Sequence, residues 1–172
     1  MDQLADAKAT LERVAQDFEP LVAQRRIASR RYLITRAAWA RRSSRLVEAA
    51  LLLDQARAVL DAAPRPGDSA WRDLHRAHAE LALEQRRVPE ALDAVQLALE
   101  RAERTAIDRQ ASLHIGEDLL LRAAIQRAAG DDKAARSDAK AASAHILAAG
   151  GPGHPLAAMA ERLAESKAAP KF

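Results

Sequence analysis

Between Glu19 and Glu48 the chain carries no acidic residue but eight arginines: Arg25, Arg26, Arg30, Arg31, Arg36, Arg41, Arg42 and Arg45, with Tyr32 and Trp39 among them. Guanidinium groups at this density can hold phosphates, acidic peptide or anionic lipid through charge and two-pronged hydrogen bonds. On a helix, at ~100° per residue, they scatter around the axis instead of forming one stripe. That scatter argues against a dedicated groove reader. A structural role, or contact with an acidic protein, is the preferred reading. Nucleic-acid or anionic-surface binding through Arg25–Arg45 is the alternative.

His75 and His78 stand three apart, with Asp73 and Glu80 nearby, a spacing that can bring two imidazoles to one metal. A third ligand and an orienting second shell are not apparent, so no metal is expected. His114, His145 and His154 are isolated. Gly150–Gly153 lacks the Lys-Ser or Lys-Thr of a phosphate loop, no serine lies in a nucleophile elbow, and there is no cysteine to serve as thiolate or disulfide. Neither catalysis nor a cofactor is expected.

Those residues need elements to hold them, and composition points to one kind. Alanine and leucine dominate, aromatics make up 3%, and no stretch alternates with a strand's period. The fold class is all-α. At 172 residues the chain suits one domain that buries about 70% of its unfolded surface. Its net charge is +3. The longest strongly apolar run, Ala49 to Leu53, is far short of the ~20 residues that cross a bilayer. Met1–Asp6 has no basic, apolar leader character. A cytoplasmic protein is expected, and the absence of Asn together with Arg in preference to Lys matches a GC-rich bacterial genome.

Breakers divide the chain into helices at about 2–19, 21–42, 45–62, 69–86, 89–107, 112–129, 132–148 and 155–167. Pro20 interrupts the first region, and Asp68 or Ser69 is the expected N-cap after the loop Pro64–Asp68. Pro89 suits a first turn, and Gly116 and Gly130–Asp132 are read as turns. The division is a 1–20 N-terminal helix, a 21–167 repeat domain and a 168–172 frayed tail. Leu4, Ala7, Leu11, Val14, Phe18 and Leu21 follow a heptad that continues through Ala28, Tyr32, Thr35 and Trp39, with Arg25 at one of its core positions. That stripe either caps the chain's own domain or joins two copies, through Leu4, Leu11, Val14, Phe18, Tyr32 and Trp39.

A segment recurs three times: Leu46–Ala50, Val88–Leu92 and Asp131–Ala135, each with a further alanine seven residues after its first small anchor (Ala49 to Ala56, Ala91 to Ala98, Ala135 to Ala142). Recurrence at this length marks stacked helical hairpins, none able to bury its apolar face alone. Nine alanines (Ala37, Ala49, Ala56, Ala79, Ala91, Ala98, Ala123, Ala135 and Ala142) stand where the tetratricopeptide repeat places small residues at its helix crossings. The chain resembles that family over about residues 30–165. Spacings of 42 and 44 residues exceed the usual length of about 34 and look like the longer kinesin-light-chain-like repeats of bacterial proteins. Gly151–Leu156 resembles the turn of that subgroup. The chain departs from the pattern in lacking large aromatics in the first helices, in Arg122 where leucine is usual, and in having glycine at the inter-helix turn only in the third copy.

The resemblance implies a right-handed superhelix of about three hairpins with extra helices at both ends, and an inner face that binds a peptide or protein. Carried over, that face is lined by Arg31, Ile34, Ala38, Arg41 and Arg42, then Asp73, Arg76, Glu80, Leu83 and Glu84, then Glu117, Leu120, Ala124, Arg127 and Ala128. Of these, Arg31, Ile34, Arg41, Arg42, Asp73, Arg76, Glu80, Glu84 and Arg127 are the expected partner contacts. The expected function is a non-enzymatic interaction scaffold for an acidic protein or peptide, as the sensor or docking part of a bacterial signalling or regulatory protein. A homodimer is the competing use of the N-terminal stripe.

Overall fold

The computed structural model describes residues 3–24 and 29–165, without the side chains of residues 3, 4 and 7. Among the described residues eight helices follow one another: α1 (Gln3–Ala23), α2 (Ser29–Arg42), α3 (Leu46–Asp61), α4 (Asp68–Glu84), α5 (Val88–Thr105), α6 (Leu113–Ala128), α7 (Asp132–Gly150) and α8 (Pro155–Glu165). No strand occurs among the described residues. From α3 onward every helix end lies within two residues of its expected place.

Three expectations are corrected. α1 does not stop at Pro20 but runs through it to Ala23. The proline ring removes one N–H near the end of the helix, and the Pro20 carbonyl still accepts from Gln24 N at 3.1 Å, so one more turn closes. The N-cap of α4 is Gly67, not Asp68 or Ser69. The Asp68 carboxylate is drawn away to Arg101 of α5. Gly116 is no turn; it lies inside α6 and is buried. A β-carbon there would stand 2.7 Å from Ile146 Cγ1, so glycine is what lets α6 and α7 approach.

The most extensive contacts join α2 with α3, α4 with α5 and α6 with α7, which makes three hairpins. All nine crossing alanines are buried, none more than 2% exposed. A methyl group at each crossing allows close approach of the backbones, as the repeat pattern requires. Between hairpins, the first helices touch in series, α2 to α4, α4 to α6 and α6 to α8. The second helices α3, α5 and α7 make no comparable contact with one another among the described residues. The row of first helices is therefore the shorter, inner wall of a curved stack.

The turns within hairpins repeat one geometry. Arg45 N donates to Ala40 O at 2.8 Å, Arg87 N to Ala82 O at 2.8 Å and Asp131 N to Gln126 O at 2.9 Å. Inside each, Ser44, Arg86 and Gly130 donate to the carbonyls of Arg41, Leu83 and Arg127, and all three have positive φ (59°, 59° and 83°). These are Schellman motifs, which satisfy the last carbonyls of a helix by one left-handed residue. The glycine found in only the third copy thus marks a conformation shared by all three.

Candidate interaction surface on the inner wall

Ion pairs cross the inner wall from hairpin to hairpin. Arg30 of α2 donates to Asp73 of α4 at 2.9 Å, and Arg41 donates to Glu80 at 2.9 Å and Glu84 at 3.0 Å. From α4, Arg76 bridges Glu80 at 3.3 Å and Glu117 of α6 at 2.8 Å. Arg72 donates to Glu117 at 2.8 Å and grips Asp118 with two bonds of 2.8 Å each. The result is a chain of alternating sign from Arg41 to Asp118.

Its last step is the most deeply buried. Asp118 is 0% exposed and Arg72 3%. Burial pulls the Arg72 pKa down, but its bonds to Asp118 and Glu117 outweigh this and leave it raised. Burial would raise Glu117, yet Arg72 and Arg76 hold its carboxyl below the usual range. For Asp118, burial pushes the carboxyl up and the Arg72 bonds offset only part of that push. With both oxygens bound by the guanidinium, the pair is an ion pair whose net value is small but whose disruption is costly.

This pair was not singled out from the sequence, although a signal existed. Arg30 and Arg72 are 42 residues apart, as are Arg31 and Asp73, while Asp73 and Glu117 are 44 apart. The repeat spacing therefore places Arg30 and Arg72 at one position, and Asp73 and Glu117 at the next. Each arginine pairs with the acid of the following hairpin. Arg122, the residue where leucine was expected, has its own reason: it holds Asp138 of α7 with bonds of 2.6 and 2.9 Å.

The expected partner contacts fall into three groups. Arg31 and Arg42 are exposed, and no ion pair of theirs is found among the described residues. Arg41, Asp73, Arg76 and Glu80 are half-buried in the charge chain, with Glu84 exposed at its edge and Ile34 resting on a first hydrophobic cluster, built by α2, α3 and α4 around Leu33, Leu53 and Leu74. Arg127 is buried: it donates to Leu163 O of α8 at 2.9 Å and lies 3.1 Å from Asp132. Leu120 and Ala124 are buried too, Leu120 clustering with Leu163. Of the lining expected of the third hairpin, Leu120, Ala124 and Arg127 are thus interior, Glu117 is half-buried and Ala128 is exposed, so the charged open part of the wall belongs to α2 and α4.

The arginine-rich segment is largely neutralised by its own fold. Arg30, Arg36, Arg41 and Arg45 all meet carboxylates, and Arg45 also lies over the Trp39 ring at 3.9 Å. Arg25, Arg26 and Ala28 lie outside the described residues. On the N-terminal stripe, Phe18 stacks on Tyr32 at 5.1 Å and Val22 packs on the first cluster, so α1 lies along α2. Leu11, Val14 and Trp39 are half-buried, whereas the side chains of Leu4 and Ala7 lie outside the described residues. His75 and His78 face α3 and α5 rather than the wall; His75 stacks on Trp71 and His78 Nε2 is buried without a hydrogen-bond partner among the described residues. No cluster of metal-ligating side chains is found among the described residues, and no helix there is long and apolar enough to cross a membrane.

The chain is an all-α helical-repeat protein. Its fold is similar to the crystal structure of BtubC (BKLC) from P. vanneervenii, a tetratricopeptide-type repeat protein, with a TM-score of 0.68 at 16% identity. The match covers 92% of this chain and 61% of that one. No protein-family model matches the sequence, and no curated protein does.

Proposed function

We propose that the chain is a non-enzymatic interaction scaffold that binds a protein or peptide along the open inner wall of α2 and α4. The observation that carries this reading is the split among its arginines. Most are tied to carboxylates of the same fold, while Arg31 and Arg42 extend from α2 with no such partner among the described residues. A wall braced by internal ion pairs does not need to reorganise to receive a ligand, which lowers the cost of binding. Among the described residues of α2, Arg31 and Arg42 are the cations left to select acidic side chains. The scaffold serves as the docking part of a larger bacterial regulatory assembly, a role suggested by the resemblance alone.

The test is an array of Asp/Glu-bearing peptides beside matched Asn/Gln peptides, probed with the full chain and with Arg31→Glu/Arg42→Glu. Both sites are exposed, so folding should be unaffected. Preference for the acidic set, weakened at least about tenfold in the double variant, supports the reading. Equal binding by the variant sinks it. A single-stranded oligonucleotide that binds more tightly than any peptide, with affinity falling steeply with salt, would favour the nucleic-acid alternative.

A further inference from the structure

A second surface lies on the flank where α1 meets the first hairpin. A crevice of about 270 Å³ opens there, floored by Leu11, Ala15, Tyr32 and Trp39. Tyr32 is pinned beneath Phe18, and Trp39 is held by Arg45, so the floor is rigid as well as apolar. Six charges form the rim: Lys8, Arg36 and Arg45 against Glu12, Glu19 and Glu48. Three of each sign give no net field, so a strongly acidic or basic ligand gains nothing by approaching.

The same flank carries its own plug. On α3, Val47 is 77% exposed and Leu51 59%, one turn apart and on either side of the rim residue Glu48. The charges pair off in a matching way. The α1 side presents Lys8 and Glu12 one turn apart, and the α3 side presents Arg45 and Glu48 one turn apart. If α1 of one copy runs antiparallel to α3 of another, Lys8 meets Glu48 and Glu12 meets Arg45, twice over by symmetry. A surface offering pocket, plug and both members of each charge pair is self-complementary, which is the requirement of a two-fold interface.

We infer that this crevice receives Val47 and Leu51 of a second copy, making a two-fold dimer that leaves the inner walls of both copies open. The inference is independent of the partner proposed for that wall.

The full chain is to be followed by sedimentation equilibrium over a range of concentrations, beside Val47→Glu/Leu51→Glu and Ala15→Arg. The wild type is expected to dimerise, and each variant to weaken the dimer about a hundredfold with the helical content of the folded chain unchanged. The chain has no cysteine. Mixing Leu51→Cys with Ala15→Cys chains under oxidation should therefore yield the mixed disulfide dimer. A wild type that stays monomeric overturns the inference and leaves the crevice to a foreign segment. A dimer that survives Val47→Glu/Leu51→Glu, or a mixture that gives no mixed disulfide, overturns it as well.

Discussion

At the scale of single residues, two buried groups set measurable signatures. Burial, with Arg57 and Arg101 nearby, lowers the His75 pKa from 6.5 to about 4; His78 adds to this and Glu100 opposes it. Between those values the unfolded chain binds more protons than the folded one, so stability falls as pH drops from about 6.5 and levels off below about 4. The loss attributable to His75 is on the order of 3 kcal/mol. Urea titrations at neutral and acid pH should show it, and His75→Gln should remove most of it. The pair Arg72–Asp118 makes a different prediction. Asp118→Ala takes from the buried guanidinium two of its bonds, leaving it Glu117 and the His114 carbonyl, and should cost about 3 kcal/mol. Arg72→Met combined with Asp118→Leu should recover most of that loss, because neither charge is then left alone. A double variant as unstable as the single one would mean that the pair does more than satisfy itself.

At the scale of elements, the three Schellman turns hold Ser44 and Arg86 in a conformation that suits glycine. Ser44→Gly and Arg86→Gly should each stabilise by roughly 0.5–1 kcal/mol, read as a raised denaturant midpoint with an unchanged slope. Gly116→Ala should do the reverse. Its methyl would press on Ile146, His145 and the Ala142 carbonyl, forcing α6 from α7 at a cost of about 1–3 kcal/mol. These sites also show what was legible in the sequence. The alanine register located every hairpin because a crossing tolerates only a small side chain, and that demand leaves a period. Gly116 misled because a glycine required for close packing looks the same as one required for a turn. The break beyond Pro20 was misplaced because a helix can lose one hydrogen bond near its end and continue. The ion pairs across the wall depend on side-chain reach between hairpins, which helical periodicity within one helix does not encode. Arg127 passed for a groove residue because its burial comes from α8, an element outside the three repeats.

At the scale of the whole molecule, each hairpin is completed by its neighbours, and the ends need covers of their own. α8 closes one end over Arg127 and the apolar cluster of Leu119, Leu120 and Ile146, to which it adds Leu163. α1 lies over Tyr32 at the other. Removing residues 1–24 should therefore lower the melting temperature by on the order of 5 °C or more, followed by circular dichroism. An unchanged melting point would show that α1 is not needed to cover the first hairpin. Because each hairpin contacts mainly the next, destabilising one should shift the unfolding of its neighbours more than that of the far end.

The unequal stitching of the two walls has a mechanical meaning. The inner wall is tied by ion pairs from one first helix to the next, whereas the second helices pack on the first helix of the following hairpin and make no comparable contact with one another among the described residues. The joints between hairpins are the places where such a body can bend. Its joints differ in temper, too. Beside the apolar core that α4 shares with α2 and α3, the joint between the first and second hairpins carries partly exposed rungs such as Arg41–Glu84, which salt loosens; that between the second and third carries Arg72–Asp118, which salt scarcely reaches. In concentrated salt the curvature should relax first at the α2–α4 joint, the place where the open wall would close around a guest.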